Sequence, residues 1–314
     1  MTKARPERSR VYKNHHLDST RWDAVRLRDD DIIISTSLKT GTTWTQRIVS
    51  LLVFGPGPLP ASLNFVSPWI DAVFWAPIEI VKDLAEGQTH RRFFKSHLAF
   101  DALPYDKSVK YIYVGRDGRD VFMSLWNHYG AYNDAIYGQL NDPAKLVGEP
   151  LAPCPDDIHA LFADWVSHGS FPWENDGYPF WSHFHHAQTF WDFRHLSNVH
   201  FVHFNDMKAD LAGEMRRIAA FLDIDVPEDR WPATVEGATF EAMKRDADSL
   251  LPELEAGFKG GAQTFVNKGT NERWKDVLTP DELAKYDRAV SRALTPDCAR
   301  WLEHGSKSGD PKAR

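Results

Sequence analysis

Short runs rich in apolar residues alternate along the chain with longer stretches whose apolar residues recur at helical spacing. The apolar runs lie at 32–34, 91–97, 109–116 and 198–204 and predict β-strands. Helical spacing begins at Trp44 and recurs near 120–129 and over 209–222, where Leu211, Met215, Ile218, Ala219 and Leu222 share one face. Strands that alternate with helices are typical of a mostly parallel sheet covered on both sides, so the pattern predicts the α/β class.

The length of 314 residues is ordinary for one α/β domain, and we expect a single domain over 1–314. Residues 1–14 and 305–314 are charged and poor in apolar side chains, so we expect them to be flexible. The segments 133–157 and 251–269 are the least regular, and such segments often form binding loops or lids. The apolar segment 65–75 has two readings: core, which is the default, or the wall of a pocket.

Composition narrows the possible functions. The chain has 37 Lys and Arg against 44 Asp and Glu, a net charge of −7, which argues against a nucleic-acid partner. Any anion site must therefore be a local basic pocket. The two cysteines, Cys154 and Cys298, lie outside any C-x-x-C motif, so neither a disulfide framework nor a zinc site is expected. We find no apolar signal region and no run of membrane-spanning length, and we expect a cytoplasmic protein without a membrane span.

The stretch 31–54 has the pattern of a strand, a polar turn and a helix. Gly41 allows the backbone to approach a ligand, and the first amides of the predicted helix have no partners within it. Together with the helix dipole these amides suit a phosphate, above which Lys39 supplies a mobile cation. The usual nucleotide-binding pattern G-x-x-x-x-G-K-[ST] is absent, because Lys39 precedes Gly41 by two positions. An ordinary strand–turn–helix with a surface lysine is the plain alternative.

Three predicted strands end in polar groups, and in such sheets ligands bind beyond the carboxyl ends of the strands. The first strand leads to Lys39, the second to Lys95 and His97, and the third to Arg116, with Ser124 eight positions later. A lone histidine at a strand end is more often structural. The position of His97 between Lys95 and the anion loop favours a general base. Two anion sites with a base between them suit transfer of an anionic group to a hydroxyl.

The chain resembles the cytosolic-type sulfotransferases that use 3'-phosphoadenosine 5'-phosphosulfate (PAPS), and among them most of all bacterial, actinobacterial-like glycolipid or aryl sulfotransferases. The resemblance covers about 22–278. Its motifs, in order, are TSLKTGTTW at 36–44, FKSHL at 94–98, YVGRDGRDV at 113–121 with Ser124, FNDMK at 204–208, and NKG at 267–269 with WK at 274–275. One such motif is a weak signal, whereas five in order are specific. The resemblance implies a sulfotransferase fold related to the P-loop NTPases, with a phosphate-binding loop beside the central parallel sheet.

The resemblance also implies the ligands and the site residues. PAPS would be the co-substrate and 3'-phosphoadenosine 5'-phosphate (PAP) the product, with no metal. The residues implied to bind the nucleotide are Lys39, Thr40, Gly41, Thr42, Thr43, Trp44, Arg116, Ser124, Phe204, Phe240, Asn267, Lys268 and Gly269. The catalytic set would be His97 as general base together with Lys39, Lys95 and Ser124. Phe65, Trp69 and His97 would line the acceptor pocket, and the aromatic residues near it favour an apolar acceptor, such as a phenol, sterol or glycolipid.

Three positions depart from the family pattern. Phe204 stands where the family has Tyr, Ala238 where it has Thr, and Asn267 where it has Arg. One hydroxyl and one charge are therefore missing from the implied nucleotide site. The family's dimerisation segment is only partly matched, which leaves the oligomeric state open.

Two other functions compete with a sulfotransferase. A nucleotide-dependent kinase of related fold would need the missing Gly-Lys-Ser/Thr order, and ATP would leave the 3'-phosphate clamp empty. A nucleotide-binding protein without catalysis would have no use for Lys39, Lys95 and His97 together. The histidines at 183, 185 and 186 lack the cysteine or carboxylate spacing of a metal site, so we expect them to be structural.

Overall fold

Four parallel strands form one sheet at the centre of the fold, in the order β2-β1-β3-β4. The computed structural model describes residues 5–312. The strands are β1 (Ile32–Ser35), β2 (Phe93–Ser96), β3 (Lys110–Gly115) and β4 (Val199–His203). All four predicted strands are confirmed, although the last three are shorter than their apolar runs. The α/β class and the parallel sheet are confirmed as well.

β1 and β2 end level with each other, and β3 and β4 extend two residues further. Ile34 lies opposite Lys95 on one side and Ile112 on the other, and Ser35 lies opposite Ser96 and Tyr113. The strand order reverses between β1 and β3, and open sheets of this kind bind ligands at such a point. The polar residues that follow the strands therefore meet at one edge.

Both faces of the sheet are buried, which is why the strands read as continuous apolar runs rather than as alternating ones. Ile33, Phe94 and Tyr111 pack into the core on one face. Ile32, Ile34 and Ile112 pack into the core on the other face. Alternate residues of one strand thus anchor helices on opposite sides.

Helices cover both faces. They are α1 (Thr42–Phe54), α2 (Leu63–Val66), α3 (Ile78–Gly87), α4 (Gly118–Gly130), α5 (Asp134–Leu140), α6 (Ile158–Ser167), α7 (His183–Trp191), α8 (Phe204–Ala209), α9 (Leu211–Phe221), α10 (Trp231–Glu236), α11 (Phe240–Arg245), α12 (Ala247–Leu250), α13 (Leu254–Gly257), α14 (Gly261–Phe265), α15 (Pro280–Ala293) and α16 (Pro296–His304). Short 3-10 helices occupy Ser19–Ala24, Glu228–Arg230, Arg273–Asp276 and Gly305–Ser308. The helices predicted from Trp44, near 120–129 and over 209–222 correspond to α1, α4 and α9.

The segments predicted to be least regular contain short helices, namely α5 in the first and α13 and α14 in the second. Near the chain ends, Tyr12 belongs to the buried core and residues 305–308 form a 3-10 turn. Residues 1–4 and 313–314 lie outside the described part, and flexibility of the ends stays a prediction. Within residues 5–312, no helix combines the length and the apolar composition that crossing a bilayer requires.

A buried ion pair joins the starts of β1 and β2. Arg92 and Asp31 are each 2% exposed, and Arg92 Nε donates to Asp31 Oδ1 over 2.8 Å. A second guanidinium nitrogen donates to the other carboxylate oxygen, so the pair is bidentate. Its geometry fixes the two strands at the end opposite to the candidate site.

We expect Arg92→Met to lower the free energy of unfolding by about 3–5 kcal/mol, because it leaves the Asp31 carboxylate buried without its partner. Urea unfolding measures this change. Arg245→Met is the control, because Arg245 pairs with Asp246 at the surface and such pairs contribute little to stability. Equal losses in the two variants would contradict the structural importance of the buried pair.

Candidate active site

A cavity of about 560 Å³ lies beyond the carboxyl ends of the four strands, within the size range of small-molecule sites. Every strand contributes to its lining: Lys39 follows β1, Lys95 and His97 come from the end of β2, Arg116 follows β3, and Phe204 follows β4. The predicted cations and the predicted base therefore share one cavity.

The loop after β1 has a left-handed backbone at two positions. Lys39 has φ = 68° and Gly41 has φ = 119°. A Cβ atom on Gly41 would also come within 3.1 Å of the Phe204 ring, so both the backbone and the available space require glycine. Gly41 precedes α1, and the amides of residues 42–44 donate to no acceptor within residues 5–312. These amides can receive an anion.

The threonines of this loop have different roles. Thr40 is fully buried, and its hydroxyl donates to the Ser37 carbonyl over 3.1 Å. The hydroxyls of Thr42 and Thr36 lie 2.5 Å apart. Thr43 lines the cavity, and its hydroxyl has no partner in the described part of the chain. Thr40 and Thr42 thus brace the loop, whereas Thr43 can bond a ligand.

Two lysines occupy the cavity without a carboxylate partner among residues 5–312. Lys39 Nζ lies 3.3 Å from His128 Nδ1 and 4.5 Å from the centre of the Phe265 ring. Lys95 Nζ lies 4.1 Å from the Trp69 ring centre. Burial, with the nearby cations of Arg116 and Lys95, lowers the pKa of Lys39 to about 7. Burial lowers the pKa of Lys95 to about 8, so a bound anion would favour full protonation of both lysines.

The tautomer of His97 follows from its hydrogen bond. His97 Nδ1 lies 2.8 Å from the Thr36 carbonyl oxygen, which can only accept, so Nδ1 carries the proton. Nε2 has no partner among the described residues and keeps its lone pair. The ring is 3% exposed between Trp69 and Trp181. Burial lowers the pKa of His97 well below its usual value, and Lys95 adds to the effect. A neutral imidazole with a free Nε2 can take a proton from a hydroxyl.

Sequence reasoning missed Asp71, which holds this side of the cavity together. Its buried carboxylate accepts from Trp69 Nε1 over 2.8 Å, from Trp22 Nε1 over 3.1 Å and from the His97 amide over 3.1 Å. Burial raises the pKa of Asp71, while the hydrogen bonds that it accepts oppose the rise. An aspartate inside the apolar segment 65–75 was the available signal.

That apolar segment divides between the two readings. Val66 and Ile70 are core residues, whereas Phe65, Trp69 and Trp75 line the cavity. The segment reaches the cavity because Trp69 forms a parallel bridge with Lys95 at the edge of β2. Trp69 and Trp75 also pack against the core, so both readings apply to them.

Arg116 ties the loop after β3 to the loop after β1. Its guanidinium donates to the Lys39 carbonyl and to Asn271 Oδ1, each over 3.0 Å, and lies 4.0 Å from the Phe204 ring centre. Nε of Arg116 is buried and has no partner among residues 5–312. Burial lowers the pKa of Arg116 to about 10; Asp120 opposes the fall and Arg273 adds to it.

The flat side of the cavity is built from aromatic residues. Trp44 Nε1 donates to the Ala238 carbonyl over 2.7 Å, which joins α1 to the segment carrying Phe240. Gly269 has φ = 61°, and a Cβ atom there would lie 3.0 Å from the Phe240 ring. Trp44 and Phe240 both line the cavity, and aromatic rings of this kind can stack on a planar base.

The lining of the cavity near Asn267, a neutral residue, includes cationic side chains. Asn267, Lys268 and Arg273 all line the cavity, as does Ser124. Nε of Arg273 is buried without a partner in residues 5–312. Arg273 lies outside the residues that the sequence singled out, because only the 3-10 turn at 273–276 brings it to the cavity. Of the predicted site residues, Thr40 alone is not among those that line the cavity.

The three neighbouring histidines of α7 contact different partners. His183 bonds Ser37 Oγ over 2.6 Å and the Arg116 carbonyl over 3.0 Å, so it joins the loops after β1 and β3. His185 bonds Asp101, and His186 bonds Ser35. No group of three His, Cys, Asp or Glu suited to a metal occurs within residues 5–312. Their contacts are structural.

Known proteins resemble this chain in sequence and in fold. Residues 29–297 match the model of a family described as a sulfotransferase domain. A glycolipid sulfotransferase of Mycobacterium bovis is 36% identical over 96% of both chains. An amine sulfotransferase of Oryctolagus cuniculus is 29% identical over 87% of this chain and 83% of its own. The solved mouse sulfotransferase SULT7A1, complexed with PAP, has a TM-score of 0.67 and 20% identity, covering 90% of this chain and 92% of its own.

We expect Asp71→Asn to destabilise the protein, because the amide group places a donor where the carboxylate accepts from N–H groups. Each buried donor left unpaired costs about 1–3 kcal/mol, and urea unfolding measures the loss. Asp248→Asn, at an exposed position, serves as the control. An Asp71→Asn protein as stable as wild type would mean that residue 71 needs no second acceptor oxygen.

Proposed function

The chain belongs to the sulfotransferase family, and on this premise we propose that it transfers a sulfuryl group from PAPS to a hydroxyl of a glycolipid, with His97 as general base. The observation that carries the proposal is the state of His97. Its Nδ1 is committed to the Thr36 carbonyl, while Nε2 is free in a cavity that also holds Lys39 and Lys95. The site thus combines a neutral base with cations, as transfer of an anionic group requires.

The charges of the cavity fit the proposed donor. The amides that begin α1, the Thr43 hydroxyl and Lys39 would hold its 5' side. Arg116, Ser124, Lys268 and Arg273 would hold the 3'-phosphate, and the buried unpartnered Nε atoms of Arg116 and Arg273 support this assignment. Trp44 and Phe240 would flank the adenine. The donor itself supplies the sulfuryl group and a phosphate leaving group.

Residues of the protein would stabilise the negative charge that develops on the leaving phosphate and would remove the proton of the acceptor hydroxyl. His97 Nε2 would accept the proton of the acceptor hydroxyl as that oxygen becomes nucleophilic. Lys39 and Lys95 would place positive charge where negative charge grows on the leaving phosphate, and burial strengthens this effect. Asp71 would keep Trp69 and the backbone of His97 in place. Ser124 would bond the nucleotide from the first turns of α4.

The lining of the acceptor side supports an amphipathic acceptor. Phe65, Trp69 and Trp75 provide an apolar wall, and Phe65 is 42% exposed at the cavity rim. Asn64, Gln139 and Glu253 also line the cavity and can bond sugar hydroxyls. The name of the mycobacterial relative makes a glycolipid our first choice over a phenol or a sterol. Transfer from labelled PAPS to pooled glycolipids, phenols and sterols tests that choice.

We expect PAP to stabilise the protein strongly, because it carries the 3'-phosphate for which Arg116 and its neighbours are placed. A ligand at about a hundred times its dissociation constant adds roughly 2.7 kcal/mol, seen as a rise in Tm. Adenosine 5'-phosphosulfate, which lacks the 3'-phosphate, should give a much smaller shift. ATP with magnesium tests the kinase alternative. Equal shifts with and without the 3'-phosphate would contradict the clamp, and a larger one with ATP would favour the kinase.

We expect His97→Gln to reduce single-turnover transfer to an alcohol by about a hundred- to ten-thousandfold, because glutamine cannot take the proton. PAP affinity should stay within a few-fold of wild type, and an acidic phenol should lose less rate than an alcohol. In wild type, burial lowers the pKa of His97, so kcat/KM should not lose this base until well below pH 6.5. His195→Gln, at an exposed histidine, is the control. A parallel fall of PAP affinity and rate would assign His97 to binding.

A further inference from the structure

A continuous hydrogen-bond chain connects Lys39 to the interior of the protein. Its links are Lys39 Nζ to His128 Nδ1 (3.3 Å), His128 Nε2 to the Tyr132 hydroxyl (3.2 Å), that hydroxyl to His16 Nε2 (3.3 Å), His16 Nδ1 to His15 Nδ1 (2.5 Å), and His15 Nε2 to the Pro179 carbonyl (3.0 Å). His15, His16 and Tyr132 are each at most 5% exposed. The proposed reaction has no step for any of these histidines.

The Pro179 carbonyl at the end of this hydrogen-bond chain determines the position of every proton in it. Because the Pro179 oxygen only accepts, His15 must donate from Nε2, and its Nδ1 then accepts from His16 Nδ1. His16 Nε2 in turn accepts from the Tyr132 hydroxyl, whose oxygen accepts from His128 Nε2. His128 Nδ1 is left as an acceptor, and it faces the Lys39 ammonium.

The assignment requires three neutral histidines. Burial lowers the pKa of His15 to about 4 and holds the pKa values of His16 and His128 well below the usual value. A second proton on His128 would turn Nδ1 into a donor that faces the donating ammonium of Lys39. One arrangement of protons therefore satisfies all of the links.

We propose that His128 is a positioning residue for Lys39, which accepts a hydrogen bond from its ammonium and so favours the charged lysine. Tyr132, His16 and His15 would act through His128 by fixing its tautomer. The role of the positive charge on Lys39 rests on the proposed function, in which Lys39 contacts the 5' side of PAPS. The hydrogen bond itself does not depend on it.

Lys39 needs such an acceptor because its other neighbours are cations or uncharged rings. Arg116 from the end of β3 and Lys95 from β2 repel the ammonium, and neutral His97 offers it no counter-charge. The Phe265 face of α14 attracts it weakly. No ion pair within residues 5–312 involves Lys39. The nitrogen of His128 is therefore the hydrogen-bond acceptor that opposes loss of the lysine proton.

A direct test measures the protonation of Lys39 without any nucleotide. Competitive labelling with acetic anhydride, followed by mass spectrometry of the Lys39 peptide, gives the pH midpoint of its reactivity. We expect His128→Leu to lower that midpoint by about one pH unit. We expect His128→Asn to keep it near wild type, because the asparagine oxygen takes nearly the place of Nδ1.

Substitution of Tyr132 tests whether the residues of the hydrogen-bond chain act together on Lys39. Tyr132→Phe frees the His128 ring and should give a smaller shift in the same direction, with no further shift when added to His128→Leu. Tyr137→Phe is the matched control, because its ring lies 5.8 Å from that of Tyr132 while its hydroxyl bonds the Cys154 amide outside the chain. An unchanged midpoint in His128→Leu, or an equal shift in Tyr137→Phe, would overturn the inference.

PAP titration by calorimetry then tests whether the hydrogen-bond chain affects the proposed function. If the free-enzyme midpoint falls by one unit from about 7, PAP should bind His128→Leu about twofold more weakly at pH 6 and about tenfold more weakly at pH 8. A loss that is uniform across pH would indicate a merely structural role and would overturn the inference. Absence of PAP binding in wild type would instead contradict the proposed function, while labelling would still decide the role of His128.

Discussion

Repulsion of Lys39 by the other positive charges in its cavity is the constraint on which the rest of the site depends. Lys39, Lys95 and Arg116 share one cavity, and no ion pair among residues 5–312 neutralises any of them. The protein holds them with weaker partners: the faces of Phe265, Trp69 and Phe204, and the carbonyl of Lys39 for Arg116. Cation–π contacts of this kind are each worth about 0.5–2 kcal/mol. An empty site built in this way is less stable than it could be, and an anion relieves it.

This constraint also bears on two positions that depart from the family pattern. A tyrosine at position 204 would add a hydroxyl, yet the ring of Phe204 already faces the Arg116 guanidinium and limits the space at Gly41. The contact between this ring and Arg116 does not require a hydroxyl at position 204. Asn267 is neutral, and Arg273, from a different segment, adds a positive charge to the lining of the same cavity.

Local pattern was sufficient to predict the four strands and the helices α1, α4 and α9, and it pointed to the residues at the strand ends. The strands are buried on both faces, so runs such as Ile32–Ile34 stand out, and a parallel sheet brings residues like Lys95 and Arg116 to one edge. His128 and Arg273 carry no such signal, and Asp71 stands out only as an acidic residue in an apolar segment, because the roles of all three arise from contacts between distant segments. The helices α13 and α14 have only four and five residues, too few for a periodic pattern to be detected. His183 stands near two other histidines in the sequence, and only its contacts identify it as a bridge between two loops.

The bridge between Trp69 and Lys95 has a consequence for solubility. Lys95 donates from its amide to the Pro68 carbonyl and accepts from the Ile70 amide, so residues 68–70 cover the open side of β2. An uncovered strand at the border of a sheet is a template for pairing with other chains. Residues 68–70, which would contact the acceptor, would thus also protect the edge of β2 from pairing with other molecules. Remodelling of residues 68–70 to accept a larger substrate would therefore increase the risk of aggregation, even where the new pocket fits its ligand well.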